Sequence, residues 1–441
     1  MTTTEVIPFR VGEWLPSDQK ILDNWLEDII QEIDDLEAKG QLKPLHPVIE
    51  QFKQLIEQDP EIFMYFNQMF TQVPKRPPYN KSPTGKPQVK NYEQMLRLMN
   101  IIITRTPAFN ETGLVGFPIN AILDWSMGTI GGFAAFLNDK VNAQLKAILN
   151  QWGGFLKSDA SCYALNSDPG GWFSPAALDA LALMDPFYGQ GDDPKNPKDN
   201  FVYNFQCNTD LPYWGFTSWD SFFTREFNEG RRPVASPDDD SVIVNACESA
   251  PYRVAYGVQL RDTFWIKAQP YSLEHMLAND EYTGNFVGGT VYQAFLSAKS
   301  YHRWHSPVSG TIVKAYVQDG SYYAEALSEG FDPSGPNDSQ GYITEVATRA
   351  LIFIEADNPD IGLMCFMPVG MAEVSSCDIT VEVGQHVNKG DSLGTFHFGG
   401  STHCLIFSPK VMLAFDLHGQ TPGLNSNNIP VKTRIATVCS N

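Results

Sequence analysis

The sequence predicts an α+β protein whose helices and strands are segregated along the chain. Apolar residues recur at helical spacing through roughly the first 200 positions. After Tyr213 short strand-like runs take over, punctuated by Gly, Asn and Asp. We therefore expect a helical N-terminal accessory domain over residues 1–205 and a β-rich domain over residues 206–441.

From Asp18 to Lys39 the positions Ile21, Leu22, Trp25, Leu26, Ile29, Ile30 and Ile33 form one helical stripe, and Gly40 is placed to end it. A second helix is predicted over Pro47–Phe70, with Ile49, Phe52, Leu55 and Ile56 on one face. Residues 74–90 are rich in Pro, Lys, Ser and Gly and read as a loop, the most basic stretch of the chain. Helices resume over 91–104, 118–137 and 139–157. Residues 185–212, rich in Pro, Asp and Asn, read as a boundary. Beyond it strands are predicted at Ser241–Asn245, Tyr252–Tyr256, Gly289–Phe295, Gly310–Val317, Ala350–Ala356, Gly362–Pro368, Asp378–Val383 and Ser392–Phe398.

The 441 residues leave room for two or three domains, and 43% hydrophobic content suits a sizeable core. A formal net charge of −20 argues against nucleic acid or an anionic membrane as partner. No run approaches the roughly 18 apolar residues of a membrane span. Met1–Glu5 lacks the basic and apolar regions of a secretory signal. Seven scattered cysteines, with no Cys-x-x-Cys, point to reduced thiols in the cytoplasm and no zinc site.

Two stretches carry candidate chemistry. In Phe396-His397-Phe398-Gly399-Gly400-Ser401-Thr402-His403 two glycines let the chain turn sharply before a serine, whose hydroxyl could attack the preceding carbonyl. The plain alternative is a Gly-Gly hairpin turn. In Tyr301-His302-Arg303-Trp304-His305-Ser306-Pro307 two histidines stand three apart. No acidic third ligand is near in sequence, so metal binding is not expected; acid–base work or a structural pair remain.

Ser306–Val313, leading to Asp319-Gly320, and Val381–Asp391 are distantly alike, and both resemble halves of the biotinyl/lipoyl carrier barrel. Neither shows a lysine at a hairpin tip, so a shared β scaffold is expected rather than a carrier.

Four motifs in one order resemble the phosphatidylserine decarboxylase family. They are Phe216–Pro233, Ile266–Leu273, Tyr301–Pro307, and Val383–Gly394 followed by Phe398–Thr402. Pro47–Phe70 and Gly132–Lys157 are similar to the soluble fungal branch, whose known member decarboxylates tryptophan. The resemblance implies a self-processing, pyruvoyl-dependent enzyme in which residues 206–441 form the catalytic domain. Ser401 would attack the Gly400 carbonyl. The resulting ester would eliminate to a dehydroalanine, and hydrolysis would leave a pyruvoyl group at position 401 and release ammonia. Fragments 1–400 and 401–441 would stay partners. The pyruvoyl would then take the substrate amine as a Schiff base and accept the electrons left by CO2.

The same resemblance makes His305 the processing base and His302 the residue of decarboxylation. Glu248, in Ala246-Cys247-Glu248-Ser249, stands where the family has Asp-Gly, and would orient His305 as in a Ser-His-Asp triad. Ala298-Lys299-Ser300 replaces the acid that lipid-specific members carry before Tyr-His-Arg. The expected substrate is a free aromatic L-amino acid, tryptophan foremost, with Trp265, Trp304 and Phe398 either lining an indole pocket or filling core. The alternatives are phosphatidylserine as substrate, or a non-enzymatic binding protein that keeps Ser401 intact.

Overall fold

The structure is a computed structural model and describes residues 19–73, 89–109, 117–263, 269–327, 339–373 and 376–439. Helix α1 (Gln19–Ala38) buries Leu26, Ile29 and Ile33. It ends before Gly40, whose φ of +63° is the left-handed conformation open to glycine. The helix predicted over Pro47–Phe70 is in fact two, α2 (Pro47–Gln58) and α3 (Pro60–Thr71). Pro60 explains the break, since it lacks an N–H and disfavours helical backbone at the residue before it. Asp59 is extended, and its carboxylate caps α3 by accepting from the N–H of Glu61 and Ile62. The loop predicted at 74–90 lies outside the described residues except for its last two.

Next comes α4 (Tyr92–Ile102). The predicted helix 118–137 also divides, into α5 (Pro118–Met127) and α6 (Ile130–Leu137). Thr129 caps α6 by accepting from the N–H of Gly132 at 3.0 Å. Helices α7 (Asp139–Leu156), α8 (Pro175–Ala182), α9 (Pro197–Asn204) and α10 (Trp219–Phe223) follow. Pro175 and Pro197 open their helices, where the missing N–H costs nothing.

Beyond α10 the chain is mainly antiparallel sheet, interrupted by the short helices α11 (Leu273–Met276) and α12 (Gln340–Val346). Strands β1 (Val242–Val244), β2 (Ala250–Tyr256), β3 (Thr290–Leu296), β4 (Arg303–His305), β5 (Gly310–Gln318) and β6 (Arg349–Ala356) come first. They are followed by β7 (Leu363–Met371), β8 (Cys377–Ile379), β9 (His386–Val387), β10 (Ser392–Phe396), β11 (Gly400–Phe407), β12 (Leu413–Phe415) and β13 (Arg434–Val438). The large sheet has the order β2-β3-β11-β7-β6-β5-β9, and two small ones have the orders β1-β13-β12 and β4-β10-β8. The two carrier-like segments meet, because β5 pairs with β9 at Gly310↔Val387 and Thr311↔His386. No closed barrel forms among the described residues.

Apolar side chains fill both faces of the large sheet. Along β11 they alternate, as strand geometry requires. Cys404 and Ile406 join Phe52, Phe66 and Trp152 of the helical half in one cluster. Leu405 and Phe407 join Trp304, Phe366 and Ile435 in the other. The division expected between residues 205 and 206 is crossed by a backbone bridge, Phe205↔Phe227, and by the Asp185–Arg232 ion pair at 3.0 Å.

Gly394 of β10 is a point of close approach. A Cβ there would stand 2.2 Å from the Asp378 carbonyl oxygen and 2.7 Å from the Trp304 ring, at a φ of +156°. Gly394→Ala is expected to destabilise the chain by about 1–3 kcal/mol, the usual cost of overpacking. Urea unfolding of both proteins checks this.

Candidate active site

Ser401 is the second residue of β11, and its backbone is paired on both sides, opposite Leu296 of β3 and Gly370 of β7. The side chain is wholly buried, and its hydroxyl has no hydrogen-bond partner. Gly400 pairs with Met371, and Gly399 before it has a φ of +134°, a region that a Cβ would make costly. The Gly-Gly-Ser stretch is thus not a hairpin turn. The chain makes its unusual turn at Gly399 and enters a central strand directly.

His305 is buried at the end of β4. Its Nδ1 lies 2.9 Å from the Gly390 carbonyl oxygen and its Nε2 2.9 Å from the Tyr301 hydroxyl. A carbonyl can only accept, so Nδ1 carries the proton and Nε2 accepts from Tyr301. Burial, with Lys432 adding to it, pushes His305 down to about 3, so the ring is neutral near pH 7.

His302 is completely buried, and neither ring nitrogen has a hydrogen-bond partner. It stacks on Phe223 with ring centroids 4.0 Å apart. Burial, reinforced by the positive Arg225, holds its pKa well below the usual histidine value. The His302 carbonyl accepts from the N–H of Phe396, five residues before Ser401.

Glu248 does not touch His305. Its carboxylate takes both arms of Arg232, at 2.7 and 3.1 Å, and the N–H of Val431 at 2.8 Å. The same guanidinium also holds Asp185 at 3.0 Å. The expected carboxylate partner of His305 is therefore replaced by the Gly390 carbonyl. Glu248 instead neutralises a buried arginine, a duty that follows from the cost of burying an unpaired charge.

Sequence reading assigned no role to several residues that the fold brings here. His403 faces the same side of β11 as Ser401, two positions on. Its Nε2 is 3.0 Å from the Ser249 hydroxyl, and burial pushes it down to about 3. Strand alternation from Ser401 was the signal for it. Arg225 is buried and donates to the carbonyls of Lys299 and Ser300. Of the aromatics expected around an indole, Phe398 is ringed by Phe117, Trp152, Trp219 and Phe223. Trp304 packs instead with Phe366 and Phe396 in the cluster on the other sheet face. Trp265 lies outside the described residues.

Ser401 thus opens a central strand as a buried hydroxyl, while His305 stands in β4 of a different sheet and His302 just before it, and no hydrogen bond joins the serine to either histidine. Comparison with known proteins identifies the family. Family models described as phosphatidylserine decarboxylase match residues 46–181 and 219–422. The chain is 35% identical over 413 residues to an L-tryptophan decarboxylase of Psilocybe cubensis, covering 90% of this chain and 88% of that protein. It is 42% identical over 314 residues to decarboxylase iboD of Amanita muscaria, covering 68% and 86%. A phosphatidylserine decarboxylase proenzyme 3 of Schizosaccharomyces pombe is 32% identical over 215 residues, covering 48% and 21%. The chain belongs to the phosphatidylserine decarboxylase family, whose named members are carboxy-lyases.

His302→Leu is expected to raise stability by about 1 kcal/mol, because it removes two buried polar atoms that pair with nothing. The sign of its pH dependence also follows. A histidine depressed in the fold contributes fully above its unfolded value near 6.5 and loses that contribution as pH falls. The gap in Tm between variant and parent should therefore widen from pH 7 to pH 5, as thermal unfolding at each pH would show.

Proposed function

We propose that this chain is a self-cleaving, pyruvoyl-dependent decarboxylase acting on a free aromatic L-amino acid, tryptophan before others. The observation that carries the reading is Ser401, a wholly buried hydroxyl without a partner that directly follows Gly400. Support for the substrate comes from relatives named L-tryptophan decarboxylase that align over 90% of the chain.

Self-cleavage needs a base for the Ser401 hydroxyl, and His305 is assigned that task. Its neutral state leaves a lone pair on Nε2, and the Gly390 carbonyl fixes the tautomer. The Tyr301 hydroxyl that now donates to Nε2 must turn aside or pass the proton on. Glu248 is assigned a positioning role, tying Arg232 to Val431 beside this pair. The residues fit the cofactor, since position 401 is both its source and its place. A pyruvoyl group there supplies a conjugated carbonyl able to take up the electron pair left by a departing carboxylate. His302, buried against Phe223, is assigned proton delivery to the substrate carbon. A ring with so low a pKa surrenders a proton readily once charged.

Fragment 401–441 has structural reason to remain with 1–400. It keeps nearly all of β11, hydrogen-bonded to β3 and β7, and β13, paired with β1. A cytoplasmic setting belongs to the same reading, supported by seven free cysteines. No helix among the described residues is long and apolar enough to cross a membrane.

Ser401→Ala should remain one chain and release no CO2 from tryptophan, tyrosine, phenylalanine or phosphatidylserine vesicles, whereas the parent releases it from tryptophan fastest. Release only from the vesicles would establish the lipid reading. A parent inactive on all four would leave a binding protein of the same fold. The rate at which the parent forms its two fragments should be flat between pH 6 and pH 8, because His305 stays neutral throughout. A titration near 6.5 in gel-resolved time courses would remove His305 as the base.

A further inference from the structure

The first turn of α5 carries buried polar groups that the proposed cleavage does not use. Asn120 is completely buried, and neither its amide nitrogen nor its amide oxygen has a hydrogen-bond partner. Asp124 lies one turn on, on the same helix face, and burial pushes its carboxyl up to about 7. Glu373 meets the start of the helix. Its Oε1 accepts from the N–H of Ile119 at 2.7 Å and of Asn120 at 2.9 Å, and burial pushes it up to about 8. The Tyr323 hydroxyl is buried nearby without a hydrogen-bond partner, and burial together with the charge of Glu373 raises it.

This polar group is joined to the chain around Ser401 at two points. Glu373 stands two residues beyond Met371, which pairs with Gly400. Phe117, at the head of α5, stacks on Phe398 at 6.0 Å, three residues before Ser401. Phe398 in turn touches Phe223, and Phe223 stacks on His302. Aromatic rings and polar groups therefore lie together beside one end of β7 and β11, on the helical side of the sheet, the face opposite the Ser401 side chain. A buried amide with both atoms unpaired forfeits its full hydration, and a bound ligand is one of the few things that would offset it. The Asn120 amide oxygen and the carbonyl oxygens of two carboxyl groups that burial holds largely protonated near pH 7 are acceptors that suit a ligand donating N–H.

We infer that Asn120, with Glu373 and Asp124, forms the acceptor end of the substrate pocket and takes an N–H group of the amino acid, either its ring N–H or its ammonium. The inference rests on the decarboxylase reading above. It makes Asn120 a specificity-determining residue: a site built to bond an N–H discriminates against a ligand that lacks one.

Calorimetric titration of the uncleaved Ser401→Ala protein tests it, with and without Asn120→Leu. Tryptophan offers both kinds of N–H, phenylalanine only the ammonium, and indole-3-propionate only the ring N–H. Asn120→Leu is expected to weaken tryptophan binding at least tenfold. A matching loss for indole-3-propionate alone assigns the ring N–H, and a matching loss for phenylalanine alone assigns the ammonium. Unchanged tryptophan affinity, or no binding of any of the three to Ser401→Ala, overturns the assignment. Asn120→Asp keeps the acceptor and the shape, so it should retain tryptophan binding even where Asn120→Leu does not fold; loss of binding there overturns the assignment as well. Failure of the decarboxylase reading shows separately, as a Ser401-containing parent that neither cleaves nor releases CO2.

Discussion

The structure depends on one constraint: the strand that begins at Gly400 is hydrogen-bonded on both sides. Residues 400–407 pair with β7, and 401–407 pair with β3. Every side chain of the strand is buried. A peptide bond in that position has little freedom, which suits a site that must hold a nucleophile against one carbonyl. On the proposed self-cleavage, the same pairing would give a fragment 401–441 a central place in the sheet. Cutting the chain at the head of β11 removes one covalent bond and leaves the ladder on both flanks.

Burial then sets the electrostatics. His302, His305 and His403 are all pushed down by desolvation, so the surroundings of β11 hold uncharged rings at neutral pH. Buried charge is met either by carbonyl oxygens, as at Arg225, or by opposite charge. Arg232 carries Glu248 on one side and Asp185 on the other, all three nearly without exposure. Glu248 therefore reads as part of an ion-pair frame that links the segment before β1, the helical half and the segment before β13. Losing one partner from such a frame costs more than the pair contributes, because it strands a buried charge.

Much of this was legible in the sequence. The change from helical to strand-like texture, and the motifs around His302, His305 and Ser401, need only local pattern. Breaks within helices were hidden because the apolar stripe continues across them; Asp59-Pro60 and Gly128-Thr129 had to be weighed against periodicity. Strand β11 was obscured by its own glycines, which read as a turn, while its hydrogen bonds come from partners more than a hundred residues away in β3. Partner choice was the least readable. That Glu248 joins Arg232 and Val431, and that Gly390 orients His305, are tertiary facts with no local spacing to announce them. The polar face of α5 was missed for the same reason, since Asn120 and Asp124 look like ordinary solvated positions until the helix is seen to be buried throughout.

The most direct test of the central claim is an intact-mass spectrum of the purified parent chain. The account predicts two masses: a fragment ending at Gly400, and a 41-residue fragment (441 − 400) lighter than its sequence by the one ammonia lost from position 401. A single species at 49.2 kDa, unchanged after prolonged incubation, would contradict it.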